Sequence, residues 1–150
     1  MELIIIRGRQ DDGKTTTATF LHNKLLEQGA KVKHLHTNGN YLSVGKWMVD
    51  FQSVLDLGKK RIVIISEGDD DERLAELMEN LIYDYRPDIV VVCARKYDKV
   101  GSSYRMLREK YKDLIKSENE FWTAFSDDRA KMIDVKRPIV DIIINRIQSI

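Results

Sequence analysis

An apolar run, a glycine-flanked loop and an amphipathic segment succeed one another over the first 28 residues of the chain. Glu2-Leu3-Ile4-Ile5-Ile6-Arg7 has the near-continuous β-branched character of a strand buried on both faces. Gly8-Arg9-Gln10-Asp11-Asp12-Gly13-Lys14-Thr15 follows without a gap and fits the spacing G-x-x-x-x-G-K-[ST]. Residues 15–28 then place Ala18, Leu21, Leu25 and Leu26 at helical spacing, and Gly29 stands where that helix ends. The order constrains the fold. A loop wraps its N–H groups around an anion only when a strand fixes one end and a helix start, with its unpaired donors and positive dipole end, fixes the other.

The rest of the chain repeats the strand–helix alternation. Residues 31–36 read as a second strand and 37–40 as a turn. Trp47, Met48, Phe51, Val54 and Leu55 read as one face of a helix closed by Gly58. Residues 61–66 read as a third strand. Leu74, Leu77, Met78, Leu81, Ile82 and Tyr85 form a helical stripe. Pro87 introduces a fourth strand over 88–93, and Tyr104, Leu107, Tyr111, Leu114 and Ile115 mark a further helix. Residues 120–125 suit a fifth strand. Residues 138–150 suit a closing helix with Pro138 in its first turn, although their isoleucine content also permits a strand. This alternation predicts a single α/β domain over 1–150, three-layered, with a mainly parallel five-stranded sheet covered on both faces. Ligands then belong at the carboxyl ends of the strands.

Those ends carry the candidate residues. In the loop, Gly8, Gly13, Lys14, Thr15 and Thr16 form a phosphate cradle, with Lys14 as a mobile charge for the outer phosphates and Thr15 as a hydroxyl ligand for Mg²⁺. Asp11 and Asp12 admit two readings: solvent-facing residues, or a pair that meets Mg²⁺, a water or a substrate hydroxyl. After the third strand, Glu67 and Asp69 are placed to face Thr15 across a metal shell, whereas Asp70-Asp71-Glu72 suits a helix cap. Arg95 follows the fourth strand and could contact a base or a transferring phosphate. Lys96 and Lys99 read more simply as a solvated loop, and Gly101-Ser102-Ser103 as a helix cap or an anion contact. Asn38, Asn40 and Tyr41 follow the second strand and are positioned for a second substrate. His34 and His36, two histidines on one strand face, are too few for a closed metal site.

Composition narrows the partners. With 25 basic and 24 acidic residues the net charge is +1, so a nucleic-acid partner is not indicated. The single cysteine, Cys93, cannot form an internal disulfide and reads as inert packing in a buried strand. With no signal peptide and no apolar run of membrane-spanning length, the expectation is a cytoplasmic protein without a membrane partner. Charge and composition leave the oligomeric state open.

From Gly8 to Thr17 and on to Val32 the chain resembles a P-loop NTPase. Gly13-Lys14-Thr15-Thr16-Thr17, a helix, Gly29 and Lys31-Val32 are similar to the opening of the signal-recognition-type GTPases and their ATPase relatives. It departs from them in having Ser66-Glu67-Gly68-Asp69 in place of D-T-A-G and in lacking a T-K-x-D guanine motif. Those residues, with Cys93-Ala94-Arg95 and Gly101-Ser102, look more like small P-loop proteins of bacterial and phage genomes. The resemblance implies a P-loop fold that binds a Mg-nucleoside triphosphate and hydrolyses it; the missing guanine motif favours ATP, with GTP as the alternative. The catalytic residues would then be Lys14, Glu67, Asp69 and Arg95. It also admits a kinase acting on a small-molecule acceptor, or a nucleotide-sensing module that engages a protein partner.

Overall fold

The computed structural model describes residues 1–8, 13–37, 50–68, 70–95, 97–123 and 129–150, with backbone only at 117 and 129–136. Among these residues six strands form one sheet in the order β2-β3-β4-β5-β1-β6: β1 Glu2–Gly8, β2 Lys31–Thr37, β3 Phe51–Leu57, β4 Lys60–Ile65, β5 Ile89–Arg95 and β6 Ile115–Trp122. Among the described residues four α-helices accompany them: α1 Lys14–Glu27, α2 Asp71–Tyr85, α3 Ser103–Lys110 and α4 Arg129–Ser149. β4, β5, β1 and β6 run parallel, whereas β3 runs antiparallel between β4 and the edge strand β2, which points the same way as β4. The described sheet is therefore mainly parallel, as expected, but it has six strands instead of five and one of them, β3, runs against the rest.

The extra strand is β3, where the sequence suggested a helix. Phe51, Val54 and Leu55 satisfy helical spacing, but the true period is two. Phe51, Ser53 and Leu55 face α1, while Val54 joins the opposite core. Ser53 hides that alternation, because a serine at a core position looks like a polar face. It is fully buried and its Oγ lies 3.0 Å from His22 Nδ1 of α1, so its burial leaves no unmet polar group. Gly58, at φ 61°, sits in the two-residue turn that joins β3 to β4 rather than at a helix end. Trp47 and Met48 lie outside the described residues.

Both faces of the sheet are covered. Ile4, Ile6, Ile62, Ile64, Ile89 and Val91 pack under α1 and α4; Leu3, Ile5, Val63, Ile65, Val90 and Val92 pack under α2 and α3. Alternate residues of each strand thus serve opposite cores, which is why β4 and β5 read as unbroken apolar runs. α4 begins nine residues before Pro138, which lies within it instead of in its first turn. The proline removes one backbone donor, at a cost of roughly 3 kcal/mol. Val140, Ile143, Ile144 and Ile147 are buried beyond it, and each such side chain contributes about 1.5–3 kcal/mol. Lys60 Nζ donates to the carbonyls of Ile147 and Gln148 at 3.0 and 3.1 Å, completing the C-terminal end of α4.

The helix expected through Ile115 stops at Lys110; a single 3₁₀ turn, Lys112–Leu114, leads into β6, which starts earlier than the sequence suggested. Residues 124 and 125 of that expected strand lie outside the described residues. β6 is tied to β1 by Glu2, which accepts from Lys116 at 2.8 Å, Arg146 at 3.1 Å and Asn119 at 3.2 Å. The Lys116 bond, ahead of the other partners, holds the Glu2 carboxyl below its ordinary range. Among the described residues no helix is long and apolar enough to cross a membrane.

Candidate functional site

The carboxyl ends of β4, β5 and β1 share one edge of the sheet, and α1 starts there. Gly13 precedes α1 with φ 82° and ψ 29°, a left-handed conformation that a Cβ disfavours. As a glycine it offers no side-chain cap to the first-turn N–H groups of α1. Lys14 is 7% exposed and its Nζ donates to the Gly8 carbonyl at 3.1 Å, linking the two ends of the loop. An ammonium so buried is expensive unless it is paired. Thr17 Oγ1 donates to Gly13 O and Thr19 Oγ1 to Thr15 O, so these two hydroxyls are used within the helix. Thr16 follows in the first turn. Asp11 and Asp12 lie outside the described residues.

Thr15 differs from the threonines that bond back into the helix. Its Oγ1 donates to Asp50 Oδ1 at 2.9 Å, and Ser66 Oγ lies 3.4 Å from the same carboxylate oxygen. Asp50 immediately precedes β3, whose Gln52 pairs with Ile65 at the end of β4. The antiparallel strand therefore starts where the parallel one finishes, and this delivers a carboxylate to the ligand edge. Sequence reading passed over Asp50 because it assigned the segment to a helix. A hairpin assignment, signalled by Leu57-Gly58-Lys59 between two apolar runs, would have found it.

Glu67 stands two residues past the end of β4, and its largely buried carboxylate pairs with Arg73 at 2.9 Å. Asp69 lies outside the described residues. Asp70 caps α2 by accepting from Arg73 N at 3.1 Å, with Asp71 and Glu72 in the first turn, as the acidic run suggested. Between them the chain passes so close to β5 that a Cβ built on Gly68 would lie 1.8 Å from Cys93 O. We expect Gly68→Ala to destabilise the fold by roughly 1–3 kcal/mol, the usual cost of overpacking. Equilibrium urea denaturation measures this, and an unchanged midpoint would contradict the close approach. Cys93 is buried, as expected for packing, with Sγ 3.5 Å from Lys14 O.

Arg95 closes β5 and is the register partner of Gly8, so the fold brings it beside the loop. Its backbone N donates to Ser103 Oγ at 3.0 Å. Ser102 caps α3 by accepting from Arg105 N at 3.1 Å, and it also receives Lys99 N at 3.4 Å. The cap reading of the serine pair accounts for these bonds. Lys96, Asn38, Asn40 and Tyr41 lie outside the described residues. His34 packs against the Tyr85 ring with centroids 5.7 Å apart, and His36 is exposed.

Sequence reading also missed the support beneath the loop. The Arg7 guanidinium lies 3.5 Å from the Tyr104 ring centroid and 4.2 Å from that of Trp122, sandwiched between α3 and β6. Tyr104 Oη donates to Glu120, and burial followed by that carboxylate raises the phenol above its ordinary range. Cation–aromatic contacts contribute about 0.5–2 kcal/mol. Here they fix the residue immediately before Gly8. A polar depression of about 260 Å³ among Asp56, Lys59, Arg61, Arg86 and Asp88 lies at the opposite edge. Arg61 is bonded there to both Asp56 oxygens and to Tyr85 O, so its donors serve the fold.

Among the described residues no three His, Cys, Asp or Glu side chains cluster to hold a metal. Mg²⁺ beside phosphates needs only one or two carboxylates and hard oxygen donors, and the Thr15 hydroxyl with the Asp50 carboxylate fits that chemistry. Comparison with protein-family models, curated proteins and solved structures gives no match for this chain.

Proposed function

We propose that this chain adopts a P-loop fold and is a Mg-dependent nucleoside triphosphatase, with ATP as its nucleotide. The observation that carries this reading is the buried Lys14 ammonium laid 3.1 Å from the Gly8 carbonyl, next to a left-handed Gly13 at an uncapped helix start. A buried cation beside the N–H groups of a helix start suits a polyanion. In the bound state Lys14 exchanges the carbonyl for phosphate oxygens, and the N–H groups of Lys14, Thr15 and Thr16 bond the phosphate chain. Arg95 stands beside Gly8 to meet charge on the transferring phosphate. Thr15 offers a ligand to Mg²⁺, and Glu67 provides a carboxylate on the same edge, with Asp69 two residues on in the sequence as the other acidic candidate. Bound Mg²⁺ would supply charge neutralisation of the phosphate oxygens.

The test is a calorimetric and product screen of the purified chain with ATP, GTP and nucleoside monophosphates in Mg²⁺. Micromolar triphosphate binding with release of inorganic phosphate is the expected result. A phosphorylated acceptor without free phosphate would reassign the protein as a small-molecule kinase. Binding without turnover would make it a nucleotide-sensing module. Absence of any triphosphate binding would refute all three.

A further inference from the structure

We infer that Asp50 is the positioning carboxylate of the metal site, orienting the Thr15 hydroxyl toward the cation of a bound nucleotide; this rests on the nucleotide reading above. A threonine hydroxyl has one proton and two lone pairs. By donating that proton to Asp50 Oδ1 at 2.9 Å, Thr15 keeps both lone pairs to accept or to ligate. The carboxylate is itself fixed. Ser66 Oγ stands 3.4 Å from the same oxygen and receives the N–H of Phe51, the residue after Asp50, at 2.8 Å. Phe51 is fully buried, so Asp50 hangs from a rigid anchor at the start of β3.

Charge separates Asp50 from Glu67. The Glu67 carboxylate is met by the Arg73 guanidinium at 2.9 Å, whereas Asp50 is met by two neutral hydroxyls. A carboxylate held by hydroxyls keeps its full charge available to a cation, while one held by a guanidinium has most of it offset. Asp50 therefore acts through Thr15, accepting the hydroxyl proton so that the oxygen is the better ligand for a metal ion there. Partners that orient a metal's ligands in this way affect affinity by about 10–100-fold.

Asp50→Asn provides the test. Asparagine keeps the shape and an oxygen to accept from Thr15, so the link between α1 and β3 survives while the charge does not. The whole chain is titrated with Mn²⁺ by electron paramagnetic resonance in the presence of a non-hydrolysable ATP analogue, and with the analogue alone in excess EDTA by calorimetry. Expected for the variant are Mn²⁺ affinity lower by about 10–100-fold and metal-free analogue affinity within about twofold of the parent. In a Thr15→Val background, Asp50→Asn should lower Mn²⁺ affinity no further, because its route is gone. Parental Mn²⁺ affinity in Asp50→Asn, or full additivity with Thr15→Val, would overturn the assignment while leaving the nucleotide reading intact. Failure of the parent to bind the analogue under either condition would remove both.

Discussion

Lys14→Ala will lower affinity for Mg-nucleoside triphosphate by about 100-fold and leave the fold in place. A charge-assisted hydrogen bond contributes about 1.5–3 kcal/mol, and each 1.4 kcal/mol is roughly a factor of ten. Lys14 has the donors for at least two phosphate oxygens, and its removal also loses a unit charge from a dry site. Against this stands a purely structural role, since the ammonium already bonds Gly8 O. The two roles give opposite patterns. A structural lysine removed from a 7% exposed position would lower thermal stability and alter circular dichroism in the absence of nucleotide. A phosphate-binding lysine leaves those nearly unchanged, because alanine removes the buried cation along with its bond. Lys14→Arg should fail nearly as badly, since a planar fork does not replace a compact ammonium in a closed loop. Calorimetric titration of the parent and both variants decides the matter, and equal affinities would remove Lys14 from the site.

How much of this was legible beforehand depends on the range of the interaction. β1, α1, β4, α2 and β5 are written locally, in apolar runs and helical stripes that any neighbours would reinforce. The loop motif is local too, so Gly8, Gly13, Lys14 and Thr15 could be named without a structure. Asp50 could not be, because its role comes from pairing across 35 residues with Thr15 and 16 with Ser66. Ser53 obscured the strand that makes this pairing, and its excuse for being polar, His22, lies 31 residues away. β6 was hard to delimit for a related reason. Its Asn119 is buried but satisfied by Glu2 and Arg146, so a core position carries a polar letter. Pro138 misled in the opposite direction. It marked a helix start by local rule, yet the buried isoleucines after it hold a longer helix together.

The same buried pair that hid β3 sets the acid stability of the protein. Burial pushes the His22 imidazole down to about 4 from an ordinary value near 6.5, because a cation there would lose its water without gaining an acid partner. Its contacts are the Ser53 hydroxyl and the edge of the Phe51 ring, at 5.5 Å between centroids. Between pH 6.5 and 4 the unfolded chain thus binds a proton that the native chain refuses. Stability is complete above pH 6.5 and falls as the pH drops toward 4, by up to about 3 kcal/mol at 1.36 kcal/mol per unit. Glu2 and Asp56 act lower. Bonds to Lys116 and Arg61 respectively hold their carboxyls below ordinary values, so their contributions are lost only as the pH falls through the carboxylate range and beyond. His22→Gln, which stays neutral and can still bond Ser53, should flatten the decline between pH 6.5 and 4.5. Urea denaturation of parent and variant across that window reads the difference. Parallel declines would show that His22 is not the group responsible. The consequence bears on the site, because His22 and Ser53 join the helix that carries Thr15 to the strand that follows Asp50.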